Sequence, residues 1–348
     1  MKVRIAGVRD REAWDRYVQA HRQAAPYSLF AWKEAIEQAY GHQGCYLLAE
    51  ERGKIRGILP LICFDIPWVY RALISLPYCD LGGILADSPA IKNILLQKAI
   101  AVAKNLHADR LEIRSNSQDI SEDNCCGRHM RVRRDKVRML LSLPDSSEAL
   151  WFGFKSKLRS QIRKAEKNGL RFQWGTSADI HAFYDVFSRN MHALGSPVHS
   201  KEWIRQIYVQ YGPAARMGLV YHGSVPVGCG LILCTRDSVS IPWASTLREY
   251  NHLSPNMLLY WNFLQFAVDT GRTTFDFGRS TPGEGTYRFK RQWGAESFSI
   301  FWYQLSKKTH KVIEQNSSKR MALQQSWNRL PLNIANEIGP LLRRFINL

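Results

Sequence analysis

The sequence predicts an α/β (α+β) chain made of two architecturally similar halves. Three observations predict it. At 348 residues the chain is long enough for two domains, each with its own core. Its composition, 45% hydrophobic and 11% aromatic with no low-complexity tract, is that of a globular protein. The same order of elements (helices, antiparallel strands, a helix, a strand, further β) occurs twice, without any repeat of sequence.

Taken in order, helical patterns at 10–24 and 30–40 open the first half, the second closed by Gly41. Strand-like runs at 45–50 and 55–64 flank Arg52-Gly53-Lys54, a hairpin signal. Two short apolar runs surround a turn within 73–85. An amphipathic helix at 89–106 carries Ile91, Ile94, Leu95, Ala99 and Val102 on one side. Strands at 110–114 and 137–143 follow, separated by a polar segment.

In the second half a strand at 170–174 precedes helices at 178–194 and 200–211. Strands at 217–221, 225–234 and 238–245 come next, then a helix at 256–270 and a strand at 297–305. The expected divisions are 1–145, a connecting helix at 146–169, 170–306, and a basic tail at 307–348. The tail is weakly amphipathic through Ile334, Ile338, Leu341, Leu342 and Phe345. It is expected to pack on the body, membrane contact being the alternative.

Formal net charge is +18, which favours phosphate-bearing partners such as tRNA, nucleotide-linked sugars or anionic lipid head groups. The seven cysteines (45, 63, 79, 125, 126, 229, 234) include no C-x-x-C pair, and several sit in apolar runs. They read as reduced residues and not as a zinc site or disulfide framework. The N-terminus has no apolar signal core, and no apolar run approaches the roughly 20 residues a membrane span needs, so a cytoplasmic protein is expected.

Two stretches carry chemistry. In 147–168, read as one helix, Trp151, Phe154, Leu158, Ile162 and Ala165 form a core stripe. Lys155, Arg159, Arg163 and Lys167 recur every fourth residue as a basic stripe. A polyanion beside that stripe would relieve its self-repulsion. The second stretch is 276–294. A strand-like run at 273–277 delivers a loop with glycines at 278, 283 and 285, then an aromatic-basic segment ending in Trp293-Gly294. A strand and glycine-rich loop expose backbone N–H groups to an anionic or carbonyl ligand.

Asp276-Phe277-Gly278 is not a kinase motif, since no nucleotide loop or catalytic-loop signature accompanies it. Gly228-Cys229-Gly230 lacks the third glycine of a dinucleotide fingerprint.

Residues 152–169, with their Lys-x-Arg-x-x-Ile-Arg-Lys-Ala-x-Lys-x-Gly pattern, resemble the hinge helix of FemA/FemB-type (FemABX) transferases. The resemblance continues in Leu194-Gly195-Ser196-Pro197-Val198, Ser254-Pro255-Asn256, Asp276-Phe277-Gly278-Arg279-Ser280 and 285–294. It is nearest to FemAB-like proteins associated with PEP-CTERM/exosortase exopolysaccharide systems, whose first domain resembles Leu76-Pro77 through Gly82-Gly83.

The resemblance implies two tandem GNAT-like domains, each a twisted sheet flanked by helices, and acyl transfer to an amine. The donor it implies is an aminoacyl-tRNA or an acyl-CoA. The acceptor would be a phosphorylated glycan or a peptidoglycan-like precursor, and peripheral membrane contact would be compatible with both. Acetyl-CoA users carry an [RQ]-x-x-G-x-[GA] loop after the central strand, and residues 246–256 here contain no glycine, which favours another donor. The alternatives are acetyl-CoA-dependent acetylation of an amino sugar, and a non-catalytic module that binds RNA or a phosphoglycan.

Acyl transfer needs oxyanion stabilisation, proton removal from the nucleophile and a protonated leaving group. Lys290, matching the lysine of the family's Phe-Lys motif, is expected to stabilise the oxyanion or to grip a phosphate. Tyr287 is expected to protonate the leaving group, and Glu284 in the exposed loop to serve as base, with Asp276 more structural. Arg279, Ser280, Arg159, Arg163, Lys167, Asn256 and His199 form the expected substrate- and phosphate-binding set. His192 flanks the same cleft segment as His199. No metal site is expected.

Overall fold

The computed structural model describes residues 1–22, 24–66, 69–125, 127–306 and 317–347, without the side chains of Glu122, Asn124 and residues 317–320. Cys126 and residues 307–316 of the basic tail lie outside the described residues.

The first half runs β1 (Lys2–Ile5), α1 (Arg11–Ala20), α2 (Phe30–Tyr40), β2 (Leu47–Glu51), β3 (Lys54–Leu59), β4 (Ile62–Ile66), β5 (Tyr70–Ile74), β6 (Leu85–Ala86), α3 (Pro89–Asn105), β7 (Arg110–Ser115), β8 (His129–Arg133) and β9 (Val137–Ser142). Gly41 ends α2 in the left-handed conformation, φ +70°. Arg52 and Gly53, both at positive φ, make the tight hairpin between β2 and β3.

Residues 55–64, expected as one strand, are two. Pro60 has no N–H for a ladder, and the chain leaves β3 in a four-stranded sheet (β1-β2-β3-β6) to enter β4 in another. Strand β8 was not foreseen, because His-Met-Arg-Val-Arg carries too little apolar alternation to stand out.

The second half runs α4 (Ser147–Gly153), α5 (Ser156–Lys167), β10 (Leu170–Gly175), α6 (Ile180–Ala193), α7 (Lys201–Tyr211), β11 (Ala215–His222), β12 (Val225–Cys234), β13 (Ser238–Thr246), α8 (Pro255–Asp269), β14 (Thr274–Ser280), α9 (Gly285–Gln292), β15 (Glu296–Ser299) and β16 (Phe301–Ser306). Helices α10 (Ser317–Asn328) and α11 (Leu332–Arg343) close the chain. The helix expected over 147–168 breaks at Phe154, whose ψ of +144° ends α4. Gly153 is a poor helix former, and the Phe154 ring turns inward against Trp293 and Trp261, centroids 5.5 and 6.0 Å away.

The run 297–305, expected as one strand, is also two, divided at the buried Ile300. That division lets the halves exchange strands. β9 of the first half lies between β14 and β15 in the seven-stranded sheet β10-β11-β12-β13-β14-β9-β15. β16, late in the chain, lies between β7 and β8 in the five-stranded sheet β4-β5-β7-β16-β8. Residues 1–145 and 170–306 therefore each hold most of one half and lend one strand to the other.

The tail packs on the body across both halves. His42 Nε2 and Tyr78 Oη donate to Arg344 O, Arg344 donates to Tyr40 O, and His192 Nε2 donates to Leu330 O. Of the six described cysteines, five are buried and Cys63 is half-buried. Among the described residues no group of His, Cys, Asp or Glu is placed to hold a metal ion.

Candidate active site

The site begins with a split in the seven-stranded sheet. β13 and β14 run parallel but pair over only three positions, Ser238–Ser240 against Thr274–Asp276. Past Ser240, β13 stays with β12, while β14 stays with β9 through Arg279 and Ser280. A wedge opens between them. Pro242 of β13 lies at the irregularity in its pairing with β12, where a missing N–H costs no ladder bond. On the other side Gly278 stands at φ +73°, with Asp80 Oδ2 and Ile241 O 3.5 and 3.8 Å from where a Cβ would be.

Asp80 reaches this wedge from the first half. Its Oδ2 accepts from the Arg279 backbone N–H at 3.0 Å, and its Oδ1 lies 3.3 Å from Arg279 Nε. The Arg279 guanidinium stacks over Trp302 of the exchanged strand β16, 5.0 Å from the ring centroid. Burial, with Arg114 and Arg133 nearby, lowers its pKa, Asp80 opposing. On β14, Asp276 is fixed by Arg138 Nε at 2.8 Å and Ser240 Oγ at 3.3 Å, and its Oδ1 accepts from Gly278 N at 2.8 Å. Asp276 is therefore a brace within the sheet.

Lys290 comes to the wedge from α9. It is buried, 8% exposed, and its Nζ donates to Arg279 O at 2.8 Å. Burial lowers its pKa from 10.5 to about 8, against the opposing pull of Asp80 and Asp276 and with a small push from Arg279. The drop corresponds to about 3 kcal/mol of cost for the charged form. Ser280 Oγ, also buried, has no hydrogen-bond partner among the described residues. A buried hydroxyl without a partner costs about 1–3 kcal/mol unless a ligand satisfies it.

The structure thus brings Lys290, Arg279 and Ser280 together. Glu284 and Tyr287 precede Lys290 at intervals of three. Glu284 is exposed at the start of α9, and Tyr287 is half-buried against the second-half core. Arg159 and Arg163 lie on the outer side of α5, Arg163 over the Trp151 ring at 5.3 Å, and Lys167 is exposed. The basic stripe is therefore present on the outer side of α5.

Asn256 is half-buried at the second position of α8. The segment before it is a closed 3-10 turn. Tyr250 N, Ser254 N and Met257 N bond to Leu247 O, Asn251 O and Ser254 O, and Pro255 has no N–H. Those donors are already used.

His199 does not line the wedge. It is 2% exposed, inside an aromatic cluster of Tyr40, Tyr78, Trp203 and Trp243. Arg343 Nε donates to its Nε2 at 3.1 Å, so Nδ1 holds the ring proton and donates to Tyr40 Oη at 2.7 Å. Burial, reinforced by Arg343, keeps the ring neutral, far below its ordinary pKa. His192 borders a separate cavity of about 170 Å³ with Arg189, Arg248 and Glu249, none of them part of the wedge.

Sequence reasoning missed Asp80 and Tyr27. Asp80 sat in plain view inside the quoted Pro77–Gly83 segment, but only the fold shows that it crosses to the other half. Tyr27, fully buried, has its pKa raised well above 10 by burial and by Asp276 and Asp80, so its phenol stays protonated beside both carboxylates.

Residues 153–291 match the family model described as an acetyltransferase (GNAT) domain. No curated protein matches the chain. Among solved structures the chain is similar to FemX, with a TM-score of 0.70 at 15% identity over 87% of this chain and 97% of that one. It is similar also to a tandem GNAT protein from the clavulanic acid biosynthesis pathway, with a TM-score of 0.55 at 11% identity over 89% and 99%. A third is L-PGS from Bacillus licheniformis, with a TM-score of 0.54 at 10% identity over 92% and 97%. The protein has the tandem GNAT acyltransferase fold, with mixed sheets flanked by helices. The architecture implied by the FemA/FemB resemblance is therefore present.

Proposed function

We propose that the protein is an N-acyltransferase of FemA/FemB type. It would move an aminoacyl group from tRNA to an amine on an anionic cell-envelope or exopolysaccharide precursor, at the cytoplasmic face of the membrane. The observation that carries the reading is the buried Lys290 ammonium at the split between β13 and β14.

The acceptor amine, neutral when it attacks, forms a C–N bond to the ester carbonyl carbon. The carbonyl π pair moves to oxygen, and the resulting oxyanion is stabilised by Lys290 Nζ, which at a pKa of about 8 is still mostly protonated at pH 7. The surplus proton on nitrogen passes to Glu284. The C–O bond to the ribose then breaks, and the leaving oxygen takes its proton from Tyr287. Arg279 and the free Ser280 hydroxyl hold a phosphate or carboxylate of the substrates.

A tRNA donor is supported by the basic face of α5 and by the loop before α8, where the Tyr250, Ser254 and Met257 N–H groups are spent internally. One observation favours a second reading, acetyl transfer from acetyl-CoA to an amino sugar: the match of 153–291 to an acetyltransferase domain.

A paired titration with aminoacylated tRNA and acetyl-CoA at two salt concentrations, followed by a transfer assay, tests the proposal. We expect saturable tRNA binding that weakens about tenfold or more from 50 to 200 mM salt, no CoA binding, and acyl transfer. Tight CoA binding moves the assignment to the second reading. Binding of tRNA with no transfer to any amine acceptor leaves a passive RNA-binding module.

A further inference from the structure

Helix α11 is packed in reverse for an amphipathic helix. It meets the body through small residues: Ala335 and Gly339 are buried, and Gly339 abuts Val198 and Trp327 of α10. Arg343, Arg344 and Asn347 then pin its end to His199, Tyr40 and Arg114. The large aliphatic side chains face outward. Ile334, Ile338, Leu341 and Leu342 are all exposed, Leu341 at 63%, and their spacing of four, three and one places them on one stripe. Met321 and Leu323 of the adjoining α10 are exposed too, but two positions apart they flank opposite sides of that helix and add nothing to the stripe. Large aliphatic residues grouped this way on a surface mark an interaction site.

Charge identifies the occupant. Residues 307–348 contain eight Lys or Arg and two Asp or Glu, a net +6 within the chain's +18; Arg343 and Arg344 are held against the body, which leaves six cations against two acids, a net +4. No described helix is long and apolar enough to cross a membrane. An apolar helical stripe in a basic segment fits the surface of an anionic bilayer: the aliphatic groups enter the acyl boundary and the cations stay among the head groups. A groove on a protein would take the stripe and leave the cations unmatched.

We propose that the outer face of α11 docks on an anionic lipid bilayer. Docking also orients the wedge. Asn347 Oδ1 accepts from Arg114, which in turn donates to Leu76 O and Cys79 O of the segment that carries Asp80. The proposal goes beyond the transfer reading and is tested without turnover.

The test is sedimentation of the full chain with vesicles of phosphatidylglycerol and phosphatidylcholine, and with vesicles of phosphatidylcholine alone, at low and physiological salt. We expect binding about tenfold tighter to the anionic vesicles, weakened by salt. The double substitution Ile338→Glu with Leu341→Glu should reduce it about tenfold. Arg329→Glu, which spares the stripe, should reduce it a few-fold. Both should melt as wild type does; if the double variant does not fold, Leu341→Ser takes its place.

Absence of binding, equal binding to both vesicles, or binding unchanged in the stripe variant overturns the proposal. So does a wild-type dimer that the stripe substitutions dissolve in light scattering, which would assign the face to a second copy of the chain.

Discussion

Each half contains one parallel strand pair, and the two pairs are built alike. In the first half β5 and β7 pair over Ala72–Ile74 and Arg110–Glu112; in the second, β13 and β14 pair over Ser238–Ser240 and Thr274–Asp276. Both end on a buried carboxylate, Glu112 or Asp276. Two residues further on they part company. The first half has Arg114, wholly buried, whose guanidinium bonds Glu112, Leu76 O, Cys79 O and Asn347 and so fills its own split. The second has Gly278, with no side chain, and leaves the space to Lys290 and an unpartnered Ser280. One split is filled by its brace; the other is open, and we propose it as the site. The fold supplies the opening, and a single position decides whether it is used for stability or left for a ligand.

The largest expected effect tests the brace. Arg114→Met leaves Glu112 buried, with only Arg110 at 3.5 Å and Gln304 as partners. It should cost about 3–5 kcal/mol in denaturant melts. Burial pushes the Glu112 carboxyl up, but Arg114 and Arg110 outweigh it and hold the group below 4.5. A carboxyl lowered in the folded state stabilises above its unfolded pKa and loses that contribution as pH falls through the folded one. The deficit of the variant should therefore be full at pH 7 and shrink in acid below about 4.5. An Arg114→Met protein that melts like wild type would break the comparison.

Next in size is the site itself, where substitution should move activity and stability in opposite directions. Lys290→Met should lower turnover about 10²–10³-fold, the loss typical of an oxyanion donor. It should also raise stability at pH 7, because a charged group buried at a cost of about 3 kcal/mol is gone, less about 1 kcal/mol for the bond to Arg279 O. The folded pKa is about 8 and the ordinary value 10.5, so the unfolded chain binds the proton more tightly between them. Wild-type stability rises across that window, and the advantage of the variant, complete below pH 8, should fade by pH 10.5. Equal melts at pH 7 and pH 10 for both proteins would show that Lys290 is not buried as described.

Much of this was legible in the sequence, and what was not has a physical cause. The order of elements, the stop at Gly41, the apolar stripe of Leu158, Ile162 and Ala165, and the segment around Lys290 follow from periodicity, turn residues and motif. The exchange of β9 and β16 did not, because a strand's partner is set by tertiary pairing and its own alternation says nothing of which sheet receives it. Asp80 stayed hidden for the same reason. His199 was expected at the cleft because it flanks Leu194–Val198, whereas Tyr40 and Arg343, about 150 residues away on either side, satisfy both its ring nitrogens inside the core.

The smallest expected effect separates two buried serines, one beside each parallel pair. Ser75 is wholly buried and its Oγ accepts from Arg114 N at 2.8 Å, so Ser75→Ala orphans a buried donor and should cost about 1–3 kcal/mol. Ser280 is nearly as buried and its Oγ bonds nothing, so Ser280→Ala removes an unsatisfied group and should leave the melt unchanged or slightly higher. If that hydroxyl is kept for a substrate, the same change should raise KM a few-fold while kcat stays near wild type, the pattern of an interaction made equally in ground and transition states. A Ser280→Ala protein that loses stability as Ser75→Ala does, with KM unaltered, would mean that the second split is braced like the first, and Lys290 alone would then distinguish the two halves.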